Sequence, residues 1–320
     1  MSKITIFSII LHFGTFNSSM SERKDTYKKT LLFNNMQYRF TVALFFLFLS
    51  FGFLKAQTNW TGINSPDWYD PGNWSAGVPT IGINATIPSG CPNFPLIAAG
   101  TANVRSLAIN NGASISMTGG TMNVALNFVK ASTGIVDFTG GVVRFTGSTN
   151  QAITGTITFF NLEVANAGVN PNNLVFINNE TTIENDLTLT TGRFAPGSGT
   201  ASNSINIGGN WNSNGATYIP NFGTVIFYGD FDKQIQGSSS NATTFYDLVI
   251  NKTSGPSALR TTFPLGINNS LEVQQGEFQI DNVNAAGADV VVRADVRVIN
   301  GASLFLNNTA NTQNVEIQIG

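Results

Sequence analysis

Histidine is almost missing from this sequence: the single one, His12, lies well ahead of Gln57, in a stretch that reads below as a removable leader. Without an imidazole the remainder cannot form a Ser-His-Asp or Cys-His site, or a histidine-ligated metal centre. Cysteine is equally scarce. Cys91 stands alone, so an intramolecular disulfide and a cysteine-rich metal site are both excluded, and the residue reads as a small buried apolar group. Charge is short as well. Asp, Glu, Lys and Arg make up 11% of the chain, against roughly 25% in an average globular protein. Asn, Thr, Ser and Gly cover the surface instead, while 42% hydrophobic residues suffice for a core. From Gln57 onward there are nine Lys/Arg against sixteen Asp/Glu, a net charge of −7. That balance disfavours a phosphate-tracking surface, so nucleic acid is not an expected partner.

Long helical periods are absent too. No segment after Gln57 repeats its apolar residues every 3.6 positions between helix caps, so helix content should be very low. The one long apolar run is Phe40 to Leu54, preceded by Met36-Gln-Tyr-Arg and followed by Lys55-Ala56-Gln57. A basic start, an apolar centre and a small residue before the cut describe a secretory signal peptide over 36–56, cleaved near Ala56. The run is shorter than the roughly twenty residues a bilayer span requires, so no membrane span is expected in the mature chain. Residues 1–35 hold a second apolar stretch, Ile4 to Phe16, and a charged segment, and read as a leader extension or a start-site misassignment ahead of Met36.

What the mature chain does have is internal repetition. Gly141-Val-Val-Arg-Phe-Thr-Gly147, Gln151-Ala-Ile-Thr-Gly155 and Thr158-Phe-Phe-Asn-Leu-Glu-Val164 are matched, in the same order, by Gly223-Thr-Val-Ile-Phe-Tyr-Gly229, Gln234-Ile-Gln-Gly237 and Thr244-Phe-Tyr-Asp-Leu-Val-Ile250. The copies stay nearly in step downstream, where Leu187-Thr-Leu-Thr-Thr-Gly-Arg-Phe194 corresponds to Leu271-Glu-Val-Gln-Gln-Gly-Glu-Phe278. Asn111-Gly-Ala-Ser-Ile115 likewise echoes Asn300-Gly-Ala-Ser-Leu304. Within each copy apolar and polar residues alternate over five to eight positions between Gly and Asn clusters, the pattern of short strands joined by turns. Val290, Val292, Ala294, Val296 and Val298 should line one face of a strand, with Asp289, Arg293, Asp295 and Arg297 on the other. The fold expected is all-β, a right-handed parallel β-helix or β-solenoid with an N-terminal aromatic cap; tandem antiparallel β-sandwiches are the alternative. Asn-Gly pairs at 111–112 and 300–301 would suit hairpins and the sandwich, whereas Asn-rich turns suit the stacked amide ladders of a solenoid. Turns of roughly 22 residues would give about twelve rungs. The divisions are 57–100 as a Trp-rich cap and 101–320 as the β-repeat region, which would be truncated at its C-terminal end were the chain a fragment.

Trp60-Thr-Gly62, Asp67-Trp68 and Asp70-Pro-Gly-Asn-Trp-Ser-Ala-Gly-Val-Pro79, followed by Ile87-Pro88 and Pro95-Leu-Ile97, resemble the opening of adhesin-like surface proteins exported by the type IX secretion pathway. The Gly-x-Val-x-Phe-x-Gly…Gln-x-Ile-x-Gly…Phe-x-(Asn/Asp)-Leu-x-(Val/Ile) unit is similar to their repeat modules. The resemblance implies a secreted or outer-surface location, and partners in the export machinery engaged through a C-terminal sorting domain that this sequence does not show.

Trp60, Trp68, Tyr69 and Trp74 fall close together in the sequence and are the candidate ligand-binding residues. Aromatic faces could stack sugar rings, or the cluster could plug the first rung of a solenoid, whose edge must be covered. Asp230-Phe-Asp232 and Glu184-Asn-Asp186 place carboxylates two apart, which on a strand would share a face and could hold calcium or act as an acid-base pair, but solvated polar faces produce such pairs routinely. No catalytic residue, metal site or cofactor is assigned. The function expected is that of a structural or adhesive module without catalytic activity, facing an extracellular polysaccharide or a cell surface. A β-helix polysaccharide lyase or glycoside hydrolase, or a carbohydrate-binding module, is the alternative.

Overall fold

The computed structural model describes residues 57–237, 243–252, 257–261, 264–281, 290–299 and 301–307. The leader at 1–35, the signal peptide at 36–56, Asp289 and Asn300 lie outside them. Among the described residues there is no α-helix, only a 3-10 turn at Pro71–Asn73. Every strand pairs in parallel with the strand one turn before or after it, which makes a right-handed parallel β-helix of about ten turns.

Each turn visits three walls in the same order. In an early turn, Leu107–Ile109 lies on the first wall, Ser114–Met117 on the second and Thr121–Val124 on the third. The next turn stacks Phe128–Lys130, Ile135–Phe138 and Val142–Phe145 on them in register. Ten strands follow one another on the third wall, from Thr101–Val104 to Ser303–Asn307. Beyond Thr217–Tyr218, the place of the first wall passes to Thr243–Phe245, Leu265–Ile267 and Val290–Val292, where Phe245 packs 5.8 Å from Tyr218.

Alternation along each strand sends one residue inward and the next outward, as the twofold pleat requires. Inside, the walls stack Val143, Leu162 and Leu187, or Ile183, Ile207, Phe227 and Ile250, all essentially without solvent contact. Phe128, Phe138 and Phe159 meet across the interior at 5.7–6.2 Å, as do Trp211, Tyr218 and Phe245 further along at 4.9–5.8 Å. A parallel sheet closed on itself leaves backbone bonds to run along the stack, so the only unmatched edges are at its two ends.

The corners show why Asn and Gly are so abundant. Asn161 Oδ1 accepts from Asn185 Nδ2 (2.9 Å) and from the Asp186 amide (3.1 Å) of the next turn. Asp186 Oδ1 in turn accepts from the Asn210 amide (2.8 Å), and Asn210 Oδ1 from the Gln234 amide (2.9 Å). Side chains thus take over the amides that the strands leave free at the bend. At Gly140-Gly141 the wall changes without interrupting the strand. Gly141 has φ of 79°, and a Cβ there would lie 2.7 Å from Gly120 O and 2.3 Å from Met117 Cε. Gly112 and Gly301 likewise have φ of 71° and 90°. Asn111-Gly112 and Gly301 are therefore corner residues between strands that pair in parallel, not hairpin turns.

Two other expectations need correction. The strand expected over 290–298 is broken at Arg293-Ala294 into Val290–Val292 on the first wall and Asp295–Val298 on the second, with Val298 43% exposed. Gln151 and Gln234 are not equivalent: Ile153 and Ile235 both point inward, and the second copy is one position shorter between Gln and Ile, which turns Gln234 outward while Gln151 is buried.

The long repeat has an unexpected geometry. Strand Val142–Phe145 is on the third wall and its counterpart Thr224–Tyr228 on the second; Gln151–Thr154 is on the first and Lys233–Gly237 on the third; Ile157–Phe159 is on the second and Thr243–Phe245 on the first. The pair Leu187–Thr191 and Leu271–Gln275 shifts in the same sense, from third wall to second. The unit therefore spans three and two-thirds turns, so successive copies are rotated by one wall.

Candidate functional site

The aromatic cluster is built where the first turn would otherwise present bare edges. Gln57–Asn59 opens the first wall, and Asp67 bridges to Leu96 at the start of the second, where the Leu96 amide donates to Pro66 O (2.7 Å). Asn73, fully buried, fixes the loop between them: its Oδ1 accepts from the Asn64 and Ser65 amides (2.9 and 3.1 Å), and its Nδ2 donates to Asp67 O (2.9 Å). Around it Trp74 stands edge-to-face against Trp60 and Trp68, with ring centres 5.0 and 4.8 Å apart. Trp60 Nε1 donates to Asn93 O (2.6 Å) and Trp74 Nε1 to Trp68 O (2.8 Å).

Trp60, Trp68 and Trp74 are 1, 0 and 5% exposed. With their faces enclosed, the three indoles form a plug and offer no stacking platform to a sugar. Tyr69 alone of the four reaches the surface, at 36% exposure, with its hydroxyl donating to Ala99 O (2.8 Å). Burial and the charge of Asp67 raise its pKa. Cys91 packs half-buried beside this plug, its sulfur 3.4 Å from Pro88 O, and burial pushes the thiol pKa up, away from the reactive thiolate.

The acidic pairs read from sequence do not lie on strands. Glu184 and Asp186 straddle the corner between the second and third walls: Asp186 enters the amide ladder, and Glu184 Oε2 accepts from the Tyr228 hydroxyl (2.9 Å). Asp230 and Asp232 occupy the loop between Thr224–Tyr228 and Lys233–Gly237. Asp232 accepts from the Ala258 amide (2.9 Å) and pairs with Arg260 (3.2 Å), and these contacts, the amide first, lower its pKa. Arg260 lies between Asp232 and Asp281 (3.6 Å), Arg144 pairs with Glu163 (3.1 Å), and Arg297 with Glu272 (3.6 Å). These ion pairs are spread along the walls and are not gathered at one place. Among the described residues no three His, Cys, Asp or Glu side chains are grouped to hold a metal ion, and no helix is long and apolar enough to cross a membrane.

The sequence reading missed a groove on the outside of the second wall. It has a volume of about 440 Å³ and is lined by Val136, Asp137, Phe138, Thr139, Thr158, Phe160 and Glu184. Phe160, one turn after Val136–Thr139, supplies a half-buried aromatic wall. Tyr228 closes one side by passing over Gly208, whose Cβ would lie 3.2 Å from the phenol ring, to reach Glu184 two turns back. Burial and the Glu184 carboxylate raise the Tyr228 pKa, so the hydroxyl stays a donor. The signal was present in Thr158-Phe-Phe-Asn161: where side chains alternate, two adjacent Phe residues cannot both be core.

No protein-family model, curated protein or solved structure matches this chain.

Proposed function

We propose that this is a secreted or outer-surface structural and adhesive β-repeat protein without catalytic activity, presenting Asn/Thr-rich faces to an extracellular polysaccharide or a cell surface. The observation that carries the reading is the capped parallel stack itself, about ten turns closed at the N-terminal end by an enclosed aromatic plug. Ten rungs at about 4.8 Å make a stiff body of about 48 Å that needs no partner to close its N-terminal edge. Export by the type IX route, with cleavage near Ala56, belongs to the same proposal and rests on the Phe40–Leu54 run and the resemblance over Trp60–Pro79.

The test is to locate the protein on intact cells by antibody labelling, sequence its mature N-terminus, and measure surface attachment of cells with and without it. Residues 1–35 on the surface protein would overturn the cleavage and start-site readings, absence of the protein from the surface would overturn export, and unchanged attachment would overturn the adhesive reading. A second reading, a polysaccharide lyase or hydrolase, is favoured only by Asp137 and Glu184 in one groove. Release of unsaturated or reducing ends from polysaccharide by the purified chain would establish it in place of the adhesive module.

A further inference from the structure

The two copies of the long repeat carry the same corner. In each, a fully buried Phe (Phe159, Phe245) is followed by a half-buried aromatic on the bend, Phe160 and Tyr246. Behind each aromatic stands the same clamp. Asn161 Oδ1 takes Asn185 Nδ2 and the Asp186 amide at 2.9 and 3.1 Å; Asp247 Oδ1 takes Asn269 Nδ2 and the Ser270 amide at 2.7 and 3.1 Å. The bend itself does not require an aromatic. One turn before Phe160 the corner is Gly140-Gly141, and one turn after it is Asn185. Core packing explains Phe159 and Phe245; it does not account for Phe160, and Tyr246 has only an edge-on contact with the half-exposed Phe222 (5.1 Å).

We infer that Phe160 and Tyr246 are equivalent stations for stacking the sugar rings of an uncharged polysaccharide. A pyranose offers C–H bonds to an aromatic face and hydroxyls around its rim. At the first station the rim finds the Thr139 and Thr158 hydroxyls, the Asp137 carboxylate and Glu184, which is already held by Tyr228. At the second, Phe222, 50% exposed, stands edge-on to Tyr246 at 5.1 Å, and Asn268 of the following turn accepts from Arg293 (3.0 Å). No Lys or Arg lines the first groove, and the chain from Gln57 onward carries −7, so an acidic polysaccharide is repelled. The stations are three and two-thirds turns apart, about 18 Å along the axis at about 4.8 Å per turn, and on different corners of the prism. One protein should therefore bridge two polysaccharide chains.

The inference rests on the adhesive reading and deepens it by naming the ligand. The full-length chain is run in native gels containing hydroxyethylcellulose, xylan or glucomannan, with alginate, polygalacturonate and chitosan as charged counterparts. Retardation is expected in at least one uncharged gel. Phe160→Ala and Tyr246→Ala should each weaken it about three- to tenfold, the usual worth of an aromatic contact, and the double variant should abolish it. Phe160→Tyr should behave as the unaltered protein. Single variants should still bind but no longer aggregate suspended cellulose particles. Circular dichroism melts of all variants should superpose, which separates binding from folding. No retardation in any uncharged gel, retardation only in charged ones, or a double variant retarded like the unaltered protein would overturn the inference. If cell attachment persists in that case, the adhesive reading stands and only its ligand is wrong.

Discussion

Replacing Trp74 by Ala should unseat the N-terminal plug. At 5% exposure nearly all of the indole, about 200 Å², is withdrawn from water, which at about 25 cal/mol/Å² corresponds to about 5 kcal/mol. A denatured chain already hides roughly 10–40% of that area, leaving about 3–4.5 kcal/mol. Losing the 2.8 Å bond from Nε1 orphans Trp68 O inside the plug and adds about 1 kcal/mol. The expected loss is therefore about 4–5.5 kcal/mol, at the upper end of the range for emptying buried aromatic sites. Three of the four tryptophans sit in the plug and Trp211 lies in the middle of the stack, so fluorescence reports mainly the cap and far-ultraviolet circular dichroism the turns. In urea, Trp74→Ala should move the fluorescence transition to lower denaturant and leave a freed sheet edge that promotes association. Trp74→Phe, which keeps a ring between Trp60 and Trp68, should recover part of the loss. A Trp74→Ala protein with unchanged midpoints by both probes would refute the plug.

Two further outcomes follow from buried polar groups. Lys252, 1% exposed, fills the corner that Asn166 fills in the earlier copy, donating to Tyr228 O (3.1 Å); burial, then repulsion by Lys233, bring its pKa down to about 8 against the pull of Asp232 and Asp230. Between pH 8 and the unfolded value near 10.5 the unfolded chain binds more protons, so Lys252 makes stability rise with pH, by about 1–3 kcal/mol, and contributes no slope below pH 8. The phenols of Tyr218 and Tyr228, held protonated by the fold, act oppositely above about pH 10, so urea titrations at pH 7–10 of the unaltered chain and Lys252→Met should differ in slope only above pH 8. Tyr218→Phe should be neutral or stabilising by about 1 kcal/mol, because the buried Tyr218 hydroxyl has no hydrogen-bond partner among the described residues; a loss above about 2 kcal/mol in the same titration would show that the hydroxyl is bonded.

The parallel stack was legible because two signals agree on it. Alternation marks strands, and the echo of Gly141–Val164 in Gly223–Ile250 demands a fold in which one unit covers the next. The plug was legible as a cluster, since Trp60, Trp68 and Trp74 lie close in sequence, but its burial was not: Asn73, which ties the loop together through four hydrogen bonds, carries no pattern of its own. The place of the acidic pairs was not legible, because spacing i, i+2 shares a face only on a strand, and Glu184-Asn-Asp186 lies at a corner. The groove joins Asp137, Phe160 and Glu184 across three turns, a proximity set by turn length and invisible to any local window.

The one-wall rotation between repeat copies has a consequence for how such a chain meets a flat surface. A unit of a whole number of turns would place every copy of a surface feature along one edge, giving the particle a single sticky side. A unit of three and two-thirds turns works like a screw thread with a phase that does not close until three copies, eleven turns, have passed. Tandem duplication of this unit therefore distributes its outer residues around the whole circumference without any change in sequence. Once three copies are present, one faces the support and another faces away however the prism lands.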